Sequence, residues 1–241
     1  IGGRYTSDER TSSVLRQTFI GGNYPQLGGT GIPIQTTSDF QGSEEFTDFT
    51  PRISLAWQPV DTQNIYVSYS QGFKGGGFDP RGLTTAAPDF DGDGTVSDDE
   101  VFEFMKFEPE VVDTYEAGIK SSFANNRIST NLAIFYSDYT DIQVPGSVGV
   151  DTDGDGISDT FAGVTTNAGE ATVKGLEFEA SAMLGYDMAI DGDSLSVGLA
   201  LGLIDAEYKE FIAQVTDPAT GSTALEDVSD QRVFQNTPET T

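Results

Sequence analysis

Several stretches of this chain place an apolar residue at every second position for longer than a soluble sheet requires, and that pattern narrows the possible folds most. Leu195, Val197, Leu199, Leu201 and Leu203 alternate with Ser194, Ser196, Gly198, Ala200 and Gly202. Successive side chains of a strand point to opposite faces, so this segment has one greasy face and one small or polar face. The sorting recurs elsewhere. Ile53, Leu55 and Trp57 oppose Arg52, Ser54, Ala56 and Gln58. Ile65, Val67 and Tyr69 oppose Asn64, Tyr66, Ser68 and Ser70. Ile128, Leu132, Ile134 and Tyr136 oppose Ser129, Asn131, Ala133 and Ser137. The periodicity predicts strands at roughly 1–10, 48–58, 64–73, 110–123, 127–142, 168–184 and 194–211. Globular strands average about 5–6 residues, whereas a tilted strand crossing a bilayer takes about 9–11. Helical periodicity is confined to a turn or two at 98–106, around Asp98, Asp99, Glu100 and Met105.

The connections sort by length. Tight turns are expected at Val60–Gln63 and Ala124–Asn126, and a modest one at Gly185–Asp193. Between them come long segments, 11–47, 74–109, 143–167 and 212–236, rich in Gly, Asp, Thr and Ser. Short turns at one end and long loops at the other is the asymmetry of outer-membrane barrels, whose long loops are extracellular. A soluble β-sandwich, the competing fold, has no reason to sort its loops this way. Trp57 near a short-turn end, with Tyr136 and Tyr139 near a long-loop end, fits the aromatic girdles of such a wall. The expected fold is therefore all-β: an antiparallel transmembrane β-barrel fragment of about seven strands with long acidic extracellular loops.

Composition removes whole classes of function. The 241 residues are 37% hydrophobic and contain no run of eighteen apolar residues, so no transmembrane helix is expected. Barrel strands escape that test because they alternate. Cysteine and histidine are both absent, which excludes thiolate- or histidine-ligated zinc and Ser-His-Asp triads from these residues. A formal net charge of −27 disfavours nucleic acid, which needs a basic footprint, and favours divalent cations. Ile1-Gly2-Gly3-Arg4-Tyr5 reads as the interior of a domain rather than a leader.

Particular runs resemble one family. Gln71-Gly72-Phe73-Lys74-Gly75-Gly76-Gly77-Phe78-Asp79-Pro80-Arg81 resembles a strand end and the following loop in TonB-dependent receptors. Phe107-Glu108-Pro109-Glu110, followed by Tyr115-Glu116-Ala117-Gly118-Ile119-Lys120, is similar to the next strand of that family. Phe135-Tyr136-Ser137-Asp138-Tyr139-Thr140-Asp141-Ile142-Gln143 resembles the upper end of the strand after it. Asn167-Ala168-Gly169-Glu170-Ala171 with Lys174-Gly175-Leu176-Glu177-Phe178-Glu179 resembles the one beyond. The similarity covers roughly 48–211 in family order, and such barrels have about 22 strands around a plugged lumen. The resemblance implies a plug domain, a coupling box and a terminal aromatic strand that these residues do not contain. It also implies an outer-membrane receptor without catalytic residues that imports a scarce nutrient, with a siderophore or other iron complex the first expectation. The implied partners are a TonB-type energy-coupling protein, a small-molecule or metal-chelate ligand and outer-membrane lipid. Two other classes stay open: a calcium-dependent surface or adhesion β protein, and a passive porin.

Two loop motifs point to calcium. Asp89-Phe90-Asp91-Gly92-Asp93-Gly94-Thr95-Val96-Ser97-Asp98-Asp99-Glu100 matches the calcium loop position by position. Asp89, Asp91 and Asp93 stand at 1, 3 and 5, Gly94 makes the sharp turn, and Thr95 offers a carbonyl. Ser97 sits at position 9, and Glu100 closes the site with two oxygens. The alternative is a solvated acidic loop, and close carboxylates repel unless a cation joins them. No helix is expected at Thr84–Pro88, ahead of the loop. Asp151-Thr152-Asp153-Gly154-Asp155-Gly156-Ile157-Ser158-Asp159 repeats the first part, but Ala162 stands where the closing glutamate would be. It fits a shorter aspartate repeat, with ligands from Asp151, Asp153, Asp155 and Asp159 and a carbonyl from Ile157. Asp191-Gly192-Asp193 is read as a hairpin turn. Glu177 and Glu179 are read as lumen-wall charges rather than a glycosidase pair.

Overall fold

The computed structural model describes residues 1–21, 31–150, 160–187, 189–216, 223–235 and 237–241. In chain order its elements are β1 (Gly2–Ile20), β2 (Ile32–Val60), β3 (Gln63–Lys74), β4 (Gly77–Phe78), α1 (Asp98–Met105) and β5 (Lys106–Phe107). They continue with β6 (Glu110–Phe123), β7 (Ile128–Thr140), β8 (Gln143–Val150), β9 (Thr160–Asn167), β10 (Gly169–Tyr186), β11 (Ser194–Thr216) and β12 (Thr223–Asp227). One eight-stranded antiparallel sheet runs β1-β2-β3-β6-β7-β10-β11-β12 and is not closed. The pairs β4–β5 and β8–β9 are separate two-stranded ribbons. Beyond β12 the chain returns to β11, where the amide of Thr241 donates to Gly202 O at 3.0 Å and that of Ile204 to Glu239 O at 3.0 Å.

Strand pairing sorts the outward face into lateral rows. Leu55, Val67, Ala117, Ile134, Leu176 and Leu203 are successive direct partners across β2, β3, β6, β7, β10 and β11. One row nearer the short turns stand Trp57, Ile65, Ile119, Leu132, Phe178 and Leu201. One row nearer the long loops the chemistry changes to Ile53, Tyr69, Tyr115, Tyr136, Lys174 and Asp205. The row after that is Gln71, Asp113, Asp138, Thr172 and Glu207. The stripe Leu195–Leu203 covers eight residue steps, roughly 27 Å along the strand, or about 21 Å along the membrane normal at a tilt near 40°. That is close to the apolar height of an outer-membrane wall. Leu55 is 69% exposed and Leu199 61%, while Ala133 and Ser137 on the opposite face are buried. A soluble sandwich would bury the leucines, so the apolar face belongs to lipid.

The inward face is small and polar. Asn64, Lys120, Asn131 and Glu179 are successive partners across it and, with Ser181, line a concavity of 850 Å³ near the short turns. Glu177 and Glu179 lie on this face, as expected. The tyrosine Tyr66 donates to Glu116 Oε1 at 2.6 Å, and the Lys120 ammonium stands 5.7 Å from its ring.

The turns follow their residues. Ala124, Asn125 and Asn126 adopt positive φ of 53°, 56° and 65°, a conformation asparagine tolerates well. In the β10–β11 turn Asp187 and Asp193 accept hydrogen bonds from backbone amides of Gly192, Ala189 and Ile190, so these carboxylates build the turn.

Several expectations need correction. The first connection was expected to be a loop over 11–47, but β1 runs to Ile20 and β2 begins at Ile32. Above the apolar band the outward face of this hairpin leaves the lipid and its inward face meets folded loop rather than open lumen, so the regular alternation that marks a strand fades while pairing continues. Register shifts at Arg16/Gln17 and Thr18/Phe19 twist its upper part. Tyr139, expected in the outward girdle, pairs with Val112 and Ala171 on the inward face, because it is an odd number of residues from Tyr136. The helix expected at 98–106 is α1, and Thr84–Ala86 forms a single 3-10 turn where no helix was expected.

Candidate functional site

The long loops fold inward. Ser38, Phe40 and Phe46 lie on the inward side of the β1–β2 hairpin and are buried. They are covered by the segment between β3 and β6. Phe40 packs at 5.3 Å from Phe78 and 6.2 Å from Phe102, and Met105 is 1% exposed beneath them. Burying such side chains stabilises by about 1.5–3 kcal/mol each, enough to dock a short helix that would not persist alone. The fit is close. A Cβ on Gly76 would lie 2.5 Å from Phe107 O, and one on Gly82 would strike Met105. The buried Ser38 hydroxyl donates to Gly82 O at 3.1 Å.

The acidic loop sits on this block. Asp89 Oδ1 accepts from the amide of Gly92 at 2.6 Å, and Oδ2 from that of Gly94 at 2.7 Å. Asp91 accepts from the amide of Asp93, and Asp93 from the amide and hydroxyl of Thr95. Gly92 and Gly94 take φ of 75° and 91°, which glycine adopts at little cost. The winding brings carboxylate oxygens of Asp89, Asp91 and Asp93 within 4.8 Å of one another.

Glu100 does not join that trio. Its Oε1 accepts from the amides of Phe90 at 2.6 Å and Asp91 at 3.2 Å. Its Oε2 accepts from the amide and hydroxyl of Ser97 at 2.8 and 2.9 Å. Ser97 Oγ in turn accepts from the amide of Glu100, completing a capping box at the start of α1. These donors, Ser97 N–H foremost, hold the Glu100 carboxyl below the usual range despite its burial. Thus three of the expected ligands converge. Glu100 clamps the loop's two ends, Ser97 caps the helix and the Thr95 side chain is spent on Asp93. The second expected set, Asp151, Asp153, Asp155, Ile157 and Asp159, lies outside the described residues.

Residues that sequence reasoning did not single out lock the loops together. Burial alone would raise the Asp79 carboxyl, but Arg81 brings it below the ordinary range with bonds of 2.6 and 3.0 Å. The Thr165 hydroxyl on β9 donates to the same carboxylate at 2.8 Å. Gln143 Nε2, at the foot of β8, donates to Gly75 O and Glu108 O at 3.0 Å each and to Lys74 O at 3.4 Å. Asn167 donates to Glu108 O and Asp141 O, and accepts from the amide of Glu108. Their signal was present only as membership of the quoted runs, since nothing in a glutamine's neighbours marks it as a backbone clasp.

Comparison with known proteins agrees with this architecture. The family model described as TonB dependent receptor-like, beta-barrel, matches residues 1–236. Similar solved structures include the ferric yersiniabactin uptake receptor FyuA of Yersinia pestis, with 17% identity and a TM-score of 0.48. The match covers 77% of this chain and 25% of FyuA. The FrpB iron transporter of Neisseria meningitidis has 14% identity and a TM-score of 0.45, over 72% and 22% of the two chains. The alcaligin outer-membrane receptor FauA of Bordetella pertussis has 18% identity and a TM-score of 0.40, over 74% and 25%. The chain thus spans about a quarter of the length of these receptors. With its wall, its inward-folded loops and the family match over nearly its whole length, this chain belongs to the TonB-dependent receptor β-barrel family of the bacterial outer membrane, a family of receptors rather than enzymes.

Proposed function

We propose that this chain forms part of the wall and outer vestibule of an active importer, driven by a TonB-type partner, for a nutrient too large or too dilute for passive pores. Within the family, a siderophore or other iron complex is the ligand class we assign. The observation that supports capture over open diffusion is the inward fold of the segment 75–109, which narrows the mouth above the lumen. A passive porin needs that mouth open. The test is uptake of iron-55 by cells whose sole receptor is the full-length protein, supplied in turn as ferric catecholate, ferric hydroxamate and ferric citrate. Accumulation of one complex that stops when the energy-coupling partner is deleted supports the reading. Partner-independent entry of all three would replace it with a porin.

We further propose that the loop 89–100 binds Ca²⁺ through Asp89, Asp91 and Asp93, with the carbonyl of Thr95, Ser97 and a reoriented Glu100 available to complete the shell. Calcium takes six to eight oxygens, and the glycine turns already gather three carboxylates whose repulsion a divalent ion relieves. The same chemistry is proposed for Asp151, Asp153, Asp155, Ile157 and Asp159. Calcium would stiffen the rim of the vestibule and take no part in chemistry.

A further inference from the structure

We infer that Asp191, in the turn between β10 and β11, is a site of spontaneous backbone isomerisation to isoaspartate, and that the carboxylate of Asp89 keeps Asp91 and Asp93 from becoming such sites. An aspartate followed by glycine is prone to this change because glycine has no Cβ to hinder its nitrogen. That nitrogen bonds to the aspartate Cγ, and the N–H proton leaves with the carboxyl OH as water, which closes a cyclic imide. Water then reopens the ring at either carbonyl. One opening restores aspartate. The other gives isoaspartate, whose main chain runs through the former side chain and is one methylene longer. Water is the only other reactant. Three such steps lie among the described residues, Asp91-Gly92, Asp93-Gly94 and Asp191-Gly192. At all three glycines nothing stands within 4 Å of where a side chain would begin, and φ is 75°, 91° and 87°. Sterics therefore do not separate them; hydrogen bonds do.

Ring closure needs two freedoms. The glycine N–H must be released, and the aspartate carboxyl must swing onto the nitrogen. At Asp91 and Asp93 both are denied. Asp89 takes the Gly92 amide on Oδ1 at 2.6 Å and the Gly94 amide on Oδ2 at 2.7 Å. Bonds to an ionised acceptor are roughly twice as strong as neutral ones, and a nitrogen losing its proton there would face a like charge. The carboxylates are tied as well, Asp91 to the amide of Asp93 at 3.0 Å and Asp93 to the amide and hydroxyl of Thr95 at 2.8 and 2.7 Å. Asp191 has the first lock without the second. The Gly192 amide donates to Asp187 Oδ1 at 2.5 Å, but the Asp191 carboxylate has no hydrogen bond or ion pair among the described residues. Its side chain is free to turn onto Gly192 whenever that bond opens. An added methylene there would lengthen a turn that Asp187 and Asp193 close by holding the amides of Gly192, Ala189 and Ile190.

The test ages the purified full-length receptor at neutral pH with chelator present, and counts isoaspartate at each step by electron-transfer fragmentation of its peptides. In the parent, Asp191 should convert at least about tenfold faster than Asp91 or Asp93, which have one more charge-assisted bond to break. Free peptides spanning residues 87–97 and 187–197 should lose that difference, because the bonds belong to the folded turns. Asp89→Ala should raise conversion at Asp91 and Asp93 about tenfold and leave Asp191 unchanged. Asp187→Ala should do the reverse. Asp89→Asn keeps one acceptor oxygen, so it should raise the two steps by clearly less than Asp89→Ala, whereas mere loosening of the loop would raise them equally in both variants. Should Asp187→Ala fail to assemble, the parent ranking and the Asp89 variants carry the test. Equal conversion of all three steps in the parent overturns the proposal. So does the same ranking in the free peptides, or an Asp89→Ala variant that ages like the parent.

Discussion

Tyr69 and Tyr115 stand directly opposite each other on the outward face of β3 and β6, their ring centroids 5.1 Å apart and their planes inclined by 37°. The Tyr69 hydroxyl reaches one row up to Asp113 Oδ1 at 2.6 Å, an oxygen that also accepts from Gln71 Nε2 at 3.1 Å. The pair thus joins the last lipid-facing carbon to the first water-facing carboxylate. Tyr136 extends it as the direct partner of Tyr115. Tyrosine suits this boundary because its ring is apolar and its tip is polar.

Arginine at Leu199 should impair assembly far more than arginine at Ser196. Leu199 faces lipid near mid-membrane, where arginine costs about 2–4 kcal/mol, and Ser196 faces the wet lumen. Heat-modifiable mobility in gels reads the folded fraction. Equal assembly of both variants would contradict the assigned faces.

Orientation is open to direct labelling. Cysteines placed at Thr62 and Asn126, in the short turns, should resist impermeant thiol reagents on intact cells, whereas one at Ser147 on the β8–β9 ribbon should react. Reaction at Thr62 with protection at Ser147 would invert the wall.

The capping box makes the acidic loop acid-sensitive. The bonded Glu100 carboxyl is depressed, so its contribution is present above the ordinary carboxyl value of about 4.3 and is lost as pH falls toward the folded value. Limited proteolysis of the loop should therefore be flat from neutrality to about pH 5 and rise below about pH 4. Glu100→Gln should remove that step and leave the loop more readily cut at neutral pH, since an amide nitrogen cannot accept from Phe90 or Ser97. It should also weaken calcium binding in a calorimetric titration of the full-length receptor, whereas Asp191→Asn should leave both unchanged. A parent receptor that takes up no calcium at millimolar concentration would sink the metal proposal and leave the capping box intact.

Gln143 tests whether the loops are one unit. Gln143→Glu turns a donor toward three carbonyls into a carboxylate and should raise amide exchange at Gly75–Gly77 and Glu108 by at least about tenfold. Gln143→Leu should do less, because it only withdraws the donor. The barrel should assemble in both cases. Exchange confined to β8 would mean that the ribbon moves independently of the segment it touches.

How much was legible in advance follows from what surrounds each segment. Inside the apolar band, lipid on one face and a wet lumen on the other force alternation, so the lipid-facing residues of β2, β3, β7 and β11 could be read from periodicity alone. The glycines and carboxylates of 89–100 were equally readable, because a twelve-residue loop is local and its turns depend on neighbouring residues. Above the band the same chain carried no such signal. The upper halves of β1 and β2 have water or protein on both sides, and only their mutual register, including two shifts, keeps them extended. Whether Glu100 faces a cation or the amides of Phe90, Asp91 and Ser97 depends on where α1 is docked, and that is decided by Phe40, Phe78 and Met105 meeting from distant parts of the chain. Gln143 and Asn167 likewise became clasps only when strand pairing brought Gly75 and Glu108 within reach. Local period and spacing were enough to set the wall and the acidic turn; the inward fold of the loops and the partners of Glu100 depend on long-range packing, which no local pattern encodes.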